Sequence, residues 1–385
     1  MPSLRPFALY YFCYFAYSGL FGPFWSLYLQ SLNFSAWEIS VLVALSTLAR
    51  IAAPGFWGWL ADRQGRRRAI IIATSVLAGV AFAALCVGPK AFAWVFGCLA
   101  FAHFFWAASL PLVEASTAHL TRANPGRYSR VRVWGSIGYM ILAIGSGYVL
   151  DALTIDSMPW LTLGLLVLVA LVSFRVPDVQ TAPRSVAREP LRSTLMQPRV
   201  IALFTCCFLM AFAFGPYYTF YSIALKEAGY DKSLIGWFWA IGVVCEILVF
   251  WFMPRIMKRF SLETLMLASL VAGVARFAMI ALGTGLPASD VLSQSLHALT
   301  FAIHHAAAVG LIHRYFDERH QAQGQGLYIV ASFGVGGSAG GLLAGALWPQ
   351  GGVALCFGLS AIACLLGVLV SLKALPPPRS AAPAA

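Results

Sequence analysis

The amino-acid sequence predicts an all-α membrane protein of twelve transmembrane helices arranged as two six-helix bundles. Three observations carry that expectation. Composition is the first: 60% of the 385 residues are hydrophobic, 10% are charged and the mean hydropathy is +0.79, whereas a soluble domain carries about 25% charged residues. The second is the length of the apolar stretches, roughly 20 residues each, which matches a hydrocarbon core of ~30 Å at a rise of about 1.5 Å per residue. They run well past the ~10 residues of a membrane strand without alternation, so a barrel is excluded and helices satisfy the backbone inside lipid. The third is a one-sided distribution of basic residues between the stretches.

Along the chain the spans fall at about 7–29, 36–60, 69–88, 91–118, 133–152, 157–174, 199–225, 233–253, 262–284, 288–312, 322–347 and 353–373. The first is too long and aromatic for a signal peptide and lacks a small-residue cleavage site, so it reads as an uncleaved helix. The longest loop, 175–198, contains VPDVQTAPRSVAREPLRS, rich in proline and arginine and without an apolar helical stripe. It reads as a linker between an N-terminal bundle (1–174) and a C-terminal bundle (199–374). The segment 375–385, rich in proline and alanine, is expected to be a disordered tail.

One set of alternate loops, with the termini, carries Arg5; Arg63, Arg66, Arg67 and Arg68; Arg122, Arg127, Arg130 and Arg132; Arg175, Arg184, Arg188, Arg192 and Arg199; Arg255, Lys258 and Arg259; Arg314 and Arg319; Lys373 and Arg379. The opposite loops hold only Lys90, Lys226 and Lys232, while Arg50 and Arg276 fall inside spans. By the positive-inside rule both termini face the cytoplasm of an inner-membrane protein. The same asymmetry accounts for the net charge of +12 without a nucleic-acid partner. All eight cysteines lie in apolar stretches without metal-ligand spacing, and read as small buried hydrophobes.

Between spans two and three stands Gly58-Trp59-Leu60-Ala61-Asp62-Arg63-Gln64-Gly65-Arg66-Arg67-Arg68. Gly58 is expected to permit close helix approach and Gly65 a tight turn, with Asp62 pairing with an arginine or facing a helix N-terminus. The positive-inside rule explains the arginines alone, not the ordered glycines and aspartate. The segment resembles the loop motif of the major facilitator superfamily, G-x-L-A-D-R-x-G-R-R/K, and with twelve spans and a central linker the resemblance covers the chain. It implies that Gly58, Asp62, Arg63, Gly65, Arg66 and Arg67 belong to gating machinery that steadies one access state without touching substrate. The second-half counterpart, Pro254 to Phe260, keeps the charge but not the aspartate or glycines. In span eleven, Gly337, Gly341 and Gly345 share a helix face, which favours close crossing with a neighbour, with flexibility as a second reading.

A charge at the bilayer centre costs about 2.5–3.5 kcal/mol on insertion scales, so each one invites a functional account. Arg50, Glu114, Glu246, Arg276 and His297 lie inside spans, with Arg132 at the start of span five. The arginines offer fixed positive charge to a carboxylate. The aromatics Phe24, Trp25, Tyr28, Tyr217, Tyr218 and Trp237 offer faces for a ring, and Glu246 with His297 offers a site for a coupled proton. Structural readings stand beside these. Glu114 and Arg132 also read as an ion pair, Arg50 as neutralising a carboxylate within its bundle, and Glu246 with Arg276 as a second pair. His297, His304 and His305 also read as satisfied core histidines, and the aromatics as core or lipid-facing.

Val113-Glu114-Ala115, followed by Gly126-Arg-Tyr-Ser-Arg130-Val-Arg132-Val-Trp134-Gly135, resembles the span 4–5 region of the lactose permease branch. That resemblance implies substrate contact for Glu114, a partner role for Arg132 and an aromatic platform at Tyr139, where the permease has tryptophan. Gly242-Val-Val-Cys-Glu246, Val274-Ala-Arg276 and Ser295-Leu-His297 resemble the same branch in spans eight to ten, which implies proton coupling. Gln294 and Thr300 depart from it, standing where the permease has lysine and the proton-releasing carboxylate, so that relay is not copied as it stands. FGPFWSLYL, Arg50 and GYDKSLIGWFWAIGVVCE resemble the phenylpropionate permease relatives of the branch, which implies an aromatic or other small carboxylate.

The expectation is therefore a secondary transporter with a cavity between two bundles, coupled to the proton gradient and needing no cofactor. Its partners are the bilayer and a small solute, and a monomer is expected. A sugar or nucleoside symporter remains open, because Glu114 and Arg132 also suit hydroxyls. A drug or metabolite exporter is disfavoured by the lack of an acidic residue in span one. An enzyme would need a nucleophile–base pair, a metal cluster or a soluble domain, and the sequence displays none.

Overall fold

The computed structural model describes residues 4–122, 125–179, 192–318 and 320–376, and every regular element among them is helical. The first six long helices are α1 (Arg5–Ser31), α2 (Ala36–Gln64), α3 (Arg67–Val87), α4 (Phe92–Thr121), α5 (Pro125–Ala152) and α6 (Met158–Ser173). After them come α7 (Pro198–Glu227), α8 (Lys232–Arg259), α9 (Leu262–Gly283) and α10 (Pro287–Tyr315). A π turn at Leu299–Ile303 interrupts α10. Of the expected linker, 180–191 lie outside the described residues and Arg192–Leu195 form one helical turn. Residues 377–385 of the expected tail also lie outside them.

The last apolar stretch, Gln323–Ala374, is 52 residues long. As one straight helix it would reach ~78 Å at about 1.5 Å per residue, more than twice the ~30 Å hydrocarbon core. Gly352 breaks it, with φ 49° and ψ −137°, a backbone combination that a Cβ makes costly. The result is two spans, α11 (321–351), itself carrying a π turn at Val330–Gly336, and α12 (353–374). The twelve predicted helices are thus all found. α1 is the least obviously apolar of them because tyrosines recur along it at positions 10, 11, 14, 17 and 28.

Local chemistry sets several boundaries. Ser35 and Glu38 form a reciprocal capping box at the start of α2: the Glu38 amide donates to Ser35 Oγ at 3.3 Å, and the Ser35 amide to Glu38 Oε2 at 2.9 Å. Gly65 ends α2 in the left-handed conformation, φ 64°, the tight turn its motif predicts. Ser261 caps α9 by accepting from the Thr264 amide at 3.1 Å.

The helices gather into two compact units. The first comprises α1–α6 together with Gly229–Ala240, the opening of α8; the second comprises α7, α8 from Ile241 onward, and α9–α12. Within the first, α1 lies against α5 and α6, and α3 against α4 and α6; within the second, α7 lies against α11, and α9 against α12 and α10. At the α1–α5 crossing a Cβ on Gly19 would overlap the Tyr139 carbonyl, and one on Gly138 would overlap that of Phe12. The α7–α11 crossing is built the same way, with Gly215 against the backbone of Gly337, Gly340 and Gly341. Close crossing is therefore what the α11 glycines provide. Gly58 corrects the sequence expectation: a Cβ there would meet no atom within 4 Å, so no tight helix approach depends on it.

Large apolar side chains such as Val87, Trp251 and Leu282 are fully open to the surroundings. In water that exposure is unfavourable and in lipid it is not. The chain is a multi-pass membrane protein.

Candidate functional site

In the first unit the ionisable residues collect around one face of α1. Its aromatic residues recur every three or four positions, so they stack along the helix. Tyr14 lies flat on Trp106 of α4 (ring centroids 4.0 Å apart, 7° between planes), and Tyr17 meets the same indole at 4.2 Å. Phe21 stacks on Tyr17 at 5.2 Å and on Trp25 at 4.8 Å. Around this stripe α5 brings Arg132, whose guanidinium carbon sits 4.1 Å over Phe15 and 5.4 Å from Tyr11. Its Nε is 3.4 Å from Glu114 Oε1 on α4. Tyr14 is within electrostatic reach of Glu114, Arg132 and Arg50 together.

Arg50 differs from Arg132 in one decisive respect. It is exposed on α2, and among the described residues no carboxylate lies within 4 Å of it and no hydrogen bond fixes it. Its electrostatic neighbours are Tyr14, Tyr17 and His103. The reading in which Arg50 neutralises a carboxylate within its bundle therefore finds no carboxylate there. His103 is buried, its Nδ1 3.1 Å from the Leu99 carbonyl. A carbonyl only accepts, so Nδ1 carries the proton and Nε2 is left as the acceptor.

Not every predicted aromatic joins this group. Trp25 and Tyr28 are each 2% exposed and pack against each other in the core of the unit. Tyr139 is half-buried, its backbone held in the α1–α5 crossing. Trp237 also falls in the first unit, its indole N–H donating to the Tyr148 hydroxyl at 3.1 Å. Beside it, Asp151 at the end of α5 accepts from the Lys232 amide (3.1 Å), the Ser233 amide (2.8 Å) and Lys232 Nζ (3.1 Å). This supplies α8 with a cap from a distant part of the chain. Glycines make room for it, since a Cβ at Gly147 would overlap the Lys232 carbonyl and one at Gly236 that of Ala143.

The loop motif is partly described. Arg63 lies 5.4 Å over the Trp59 ring, and Arg68 donates to the Phe174 carbonyl at 2.6 Å, tying the start of α3 to the end of α6. Arg66 and Arg67 stand at the turn into α3. The Asp62 side chain lies outside the described residues.

The second unit holds a separate cluster. Glu246 Oε2 on α8 is 3.7 Å from His297 Nε2 on α10, with 23% of the Glu246 side chain exposed. Arg276 of α9 is 0% exposed. Its Nε donates to the Ser293 carbonyl (3.1 Å) and its Nη1 to Thr300 Oγ1 (3.2 Å), and Phe214, Tyr217 and Phe277 surround the guanidinium at 4.3–5.1 Å. Among the described residues no carboxylate lies within 4 Å of Arg276, so the alternative ion pair with Glu246 is not made. Buried cation–π contacts of ~2 kcal/mol each offset part of the desolvation.

Both departures from the permease pattern have partners here. Thr300 holds Arg276, and Gln294 Oε1 accepts from the Tyr217 hydroxyl at 2.8 Å. The π turn contains Thr300, and such turns recur at functional sites. Tyr217 is buried, while Tyr218, 41% exposed, stacks on Phe214 at 5.6 Å.

Sequence reasoning missed Tyr14, Tyr17, Trp106, His103 and Asp151. The recurring aromatics of α1 were a signal for the first two. Nothing in the sequence marked Asp151 as a cap for a helix some eighty residues away.

The geometry thus pairs a free cation beside stacked aromatics in one unit with a carboxylate–imidazole contact in the other. Residues 4–359 match the MFS_1 like family. The chain is 30% identical over 324 residues to a probable 3-phenylpropionic acid transporter of Escherichia coli (strain K12), spanning 81% of this chain and 83% of that one. It is 27% identical over 380 residues to the maltose permease of Geobacillus stearothermophilus, spanning 95% and 93% of the two chains. The crystal structure of the nucleoside transporter NupG superposes with a TM-score of 0.83 at 16% identity, covering 97% of this chain and 98% of that one.

Proposed function

Because the chain belongs to the MFS_1 like family, a family of major facilitator transporters, we propose that it is a proton symporter for an aromatic or other small carboxylate. That it is a secondary transporter and not an enzyme follows from its relatives. The finer reading is carried by Arg50: an exposed guanidinium on a membrane-spanning helix, without a carboxylate partner, next to the Tyr14–Tyr17–Trp106 stack. A substrate carboxylate supplies the missing counter-charge, and a ring continues the aromatic stripe. The relative named for 3-phenylpropionic acid supports the same chemistry.

Glu246 and His297 carry the coupled proton. Their 3.7 Å contact is an ion pair only when the imidazole is charged, so a proton moved on or off either group changes how well the pair tolerates burial. Substrate and proton together reduce uncompensated charge more in one access state than the other, and that difference shifts the equilibrium between states. In this reading the protein is a monomer of the inner membrane with both termini cytoplasmic, and the loop motif around Gly65 steadies one state. A sugar or nucleoside is the second reading. It is favoured by the half-exposed Glu114–Arg132 pair, which can hold hydroxyls, and by relatives named for maltose and nucleosides.

The test is uptake into proteoliposomes. Arg50→Gln should raise half-saturation for 3-phenylpropionate by about 10- to 150-fold, the loss of one charged hydrogen bond of ~1.5–3 kcal/mol. It should leave weak uptake of the neutral 3-phenylpropanol unchanged. Equal losses for acid and alcohol would remove charge recognition from Arg50. Glu246→Gln should abolish uphill uptake driven by an inward proton gradient, and uphill accumulation at the wild-type level would sink the coupling role.

A further inference from the structure

Arg276 leaves one nitrogen unaccounted for. Nε and Nη1 are fixed by the Ser293 carbonyl and Thr300 Oγ1, whereas Nη2 is buried with no hydrogen-bond partner among the described residues. Gln294 repeats the pattern: 0% exposed, its Oε1 taken by the Tyr217 hydroxyl, its Nε2 buried and unpartnered. Both orphan groups border one side chain. The Arg276 guanidinium lies 4.3 Å over the Tyr217 ring, and Gln294 sits 2.8 Å from its hydroxyl. The great majority of buried polar groups are paired, and leaving an N–H unmade forfeits its hydration without return. Two such donors around one tyrosine, one of them on a cation without a carboxylate, call for a ligand that accepts hydrogen bonds and carries negative charge.

We propose that Arg276 Nη2 and Gln294 Nε2 form an anion subsite of the second unit, sized for a planar monoanion and covered by Tyr217. Ser293 and Thr300 hold the guanidinium so that Nη2 is fixed before the ligand arrives, which lowers the ordering cost of binding. Tyr217 is the lid: its ring lies on the guanidinium and its hydroxyl bond to Gln294 Oε1 holds the amide in orientation. The ligand is either the carboxylate of the transported solute, which rests on the function proposed above, or a free inorganic anion, which does not.

The full-length chain, purified in detergent, tests this through the rise of its unfolding temperature with concentration of sodium nitrate, sodium formate or sodium 3-phenylpropionate, at ionic strength held constant with sodium gluconate. Ligand that binds the folded state raises stability saturably. In an Arg50→Gln background, nitrate and formate should still stabilise. Adding Arg276→Gln should remove that effect, and adding Gln294→Leu should weaken it about tenfold, one hydrogen bond's worth. Gln294→Leu leaves every cation in place, so it decides the matter if the arginine variant does not fold. Loss of 3-phenylpropionate binding together with nitrate binding identifies the solute's carboxylate as the ligand; loss of nitrate binding alone identifies an inorganic anion. The subsite is overturned if no small anion stabilises the Arg50→Gln protein, or if stabilisation survives both further substitutions. Should nitrate depend on Arg276 while wild-type protein takes up no carboxylate, the subsite stands and the proposed substrate falls.

Discussion

Asp151→Ala removes three hydrogen bonds at the start of α8: the Lys232 and Ser233 amides at 3.1 and 2.8 Å and Lys232 Nζ at 3.1 Å. The two amides belong to the first turn, where no carbonyl of the same helix can reach them. Losing such a cap costs about 0.5–2 kcal/mol, and the part-exposed ion pair adds ~0.2–1 kcal/mol. Together, ~1–3 kcal/mol corresponds to a 5- to 150-fold increase in local opening. Amide hydrogen exchange on the detergent-solubilised protein reads this directly. Residues 232–235 should lose protection by that factor, while the amides of α2 and α3 keep theirs. Asp151→Asn, which retains an acceptor but not the charge, should fall between. Wild-type protection at 232–235 in the alanine variant would show that the backbone packing of Gly147 and Gly236, not the carboxylate, fixes the helix start.

Glycine substitutions should divide sharply. Gly215→Val drives side-chain atoms into the backbone of Gly340 and Gly341, and should prevent recovery of folded protein by size-exclusion chromatography, whereas Gly58→Ala, open for at least 4 Å, should leave the unfolding temperature within a degree or two. A double-mutant cycle on Glu114→Gln and Arg132→Gln should return a coupling of about 0.5–1 kcal/mol in unfolding free energy, given partial exposure; a value near zero would mean that the contact contributes nothing to the fold. Ser35→Ala should lower stability by ~1 kcal/mol through loss of its cap to Glu38, measured as a fall in unfolding temperature that Ser35→Asp restores.

The helices were legible because lipid leaves the backbone few choices: apolar length and basic loops nearly determine the spans. Only α1 and the α11–α12 break were harder, the first diluted by tyrosines and the second depending on a single glycine at position 352. The ionisable residues were legible for a related reason, since burial cost makes Arg50, Glu114, Glu246 and Arg276 conspicuous. Which neighbour each one meets was not. Glu246 contacts His297 rather than Arg276, a matter of helix rotation that spacing along one helix does not set. The same ignorance of rotation put Trp25, Trp237 and Tyr218 on one list, although one is core, one is pinned to Tyr148 and one stacks on Phe214. Gly58 misled because a small residue in a span announces close packing whether or not a neighbour is there.

The π turn at Leu299–Ile303 has a bearing on how this sequence tolerates change. Such a turn holds one residue more than an α-turn would, so shortening it by one position restores ordinary periodicity and swings everything beyond it by about 100° around the axis. His304 would leave Ser269 Oγ, now 3.0 Å away, and His305 would leave the Tyr328 hydroxyl at 3.1 Å. No exchange of one amino acid for another produces that swing. The spacing of polar groups down α10 is thus stored in the number of residues as much as in their identity, and a single-codon deletion there probes a property that substitution scanning never samples.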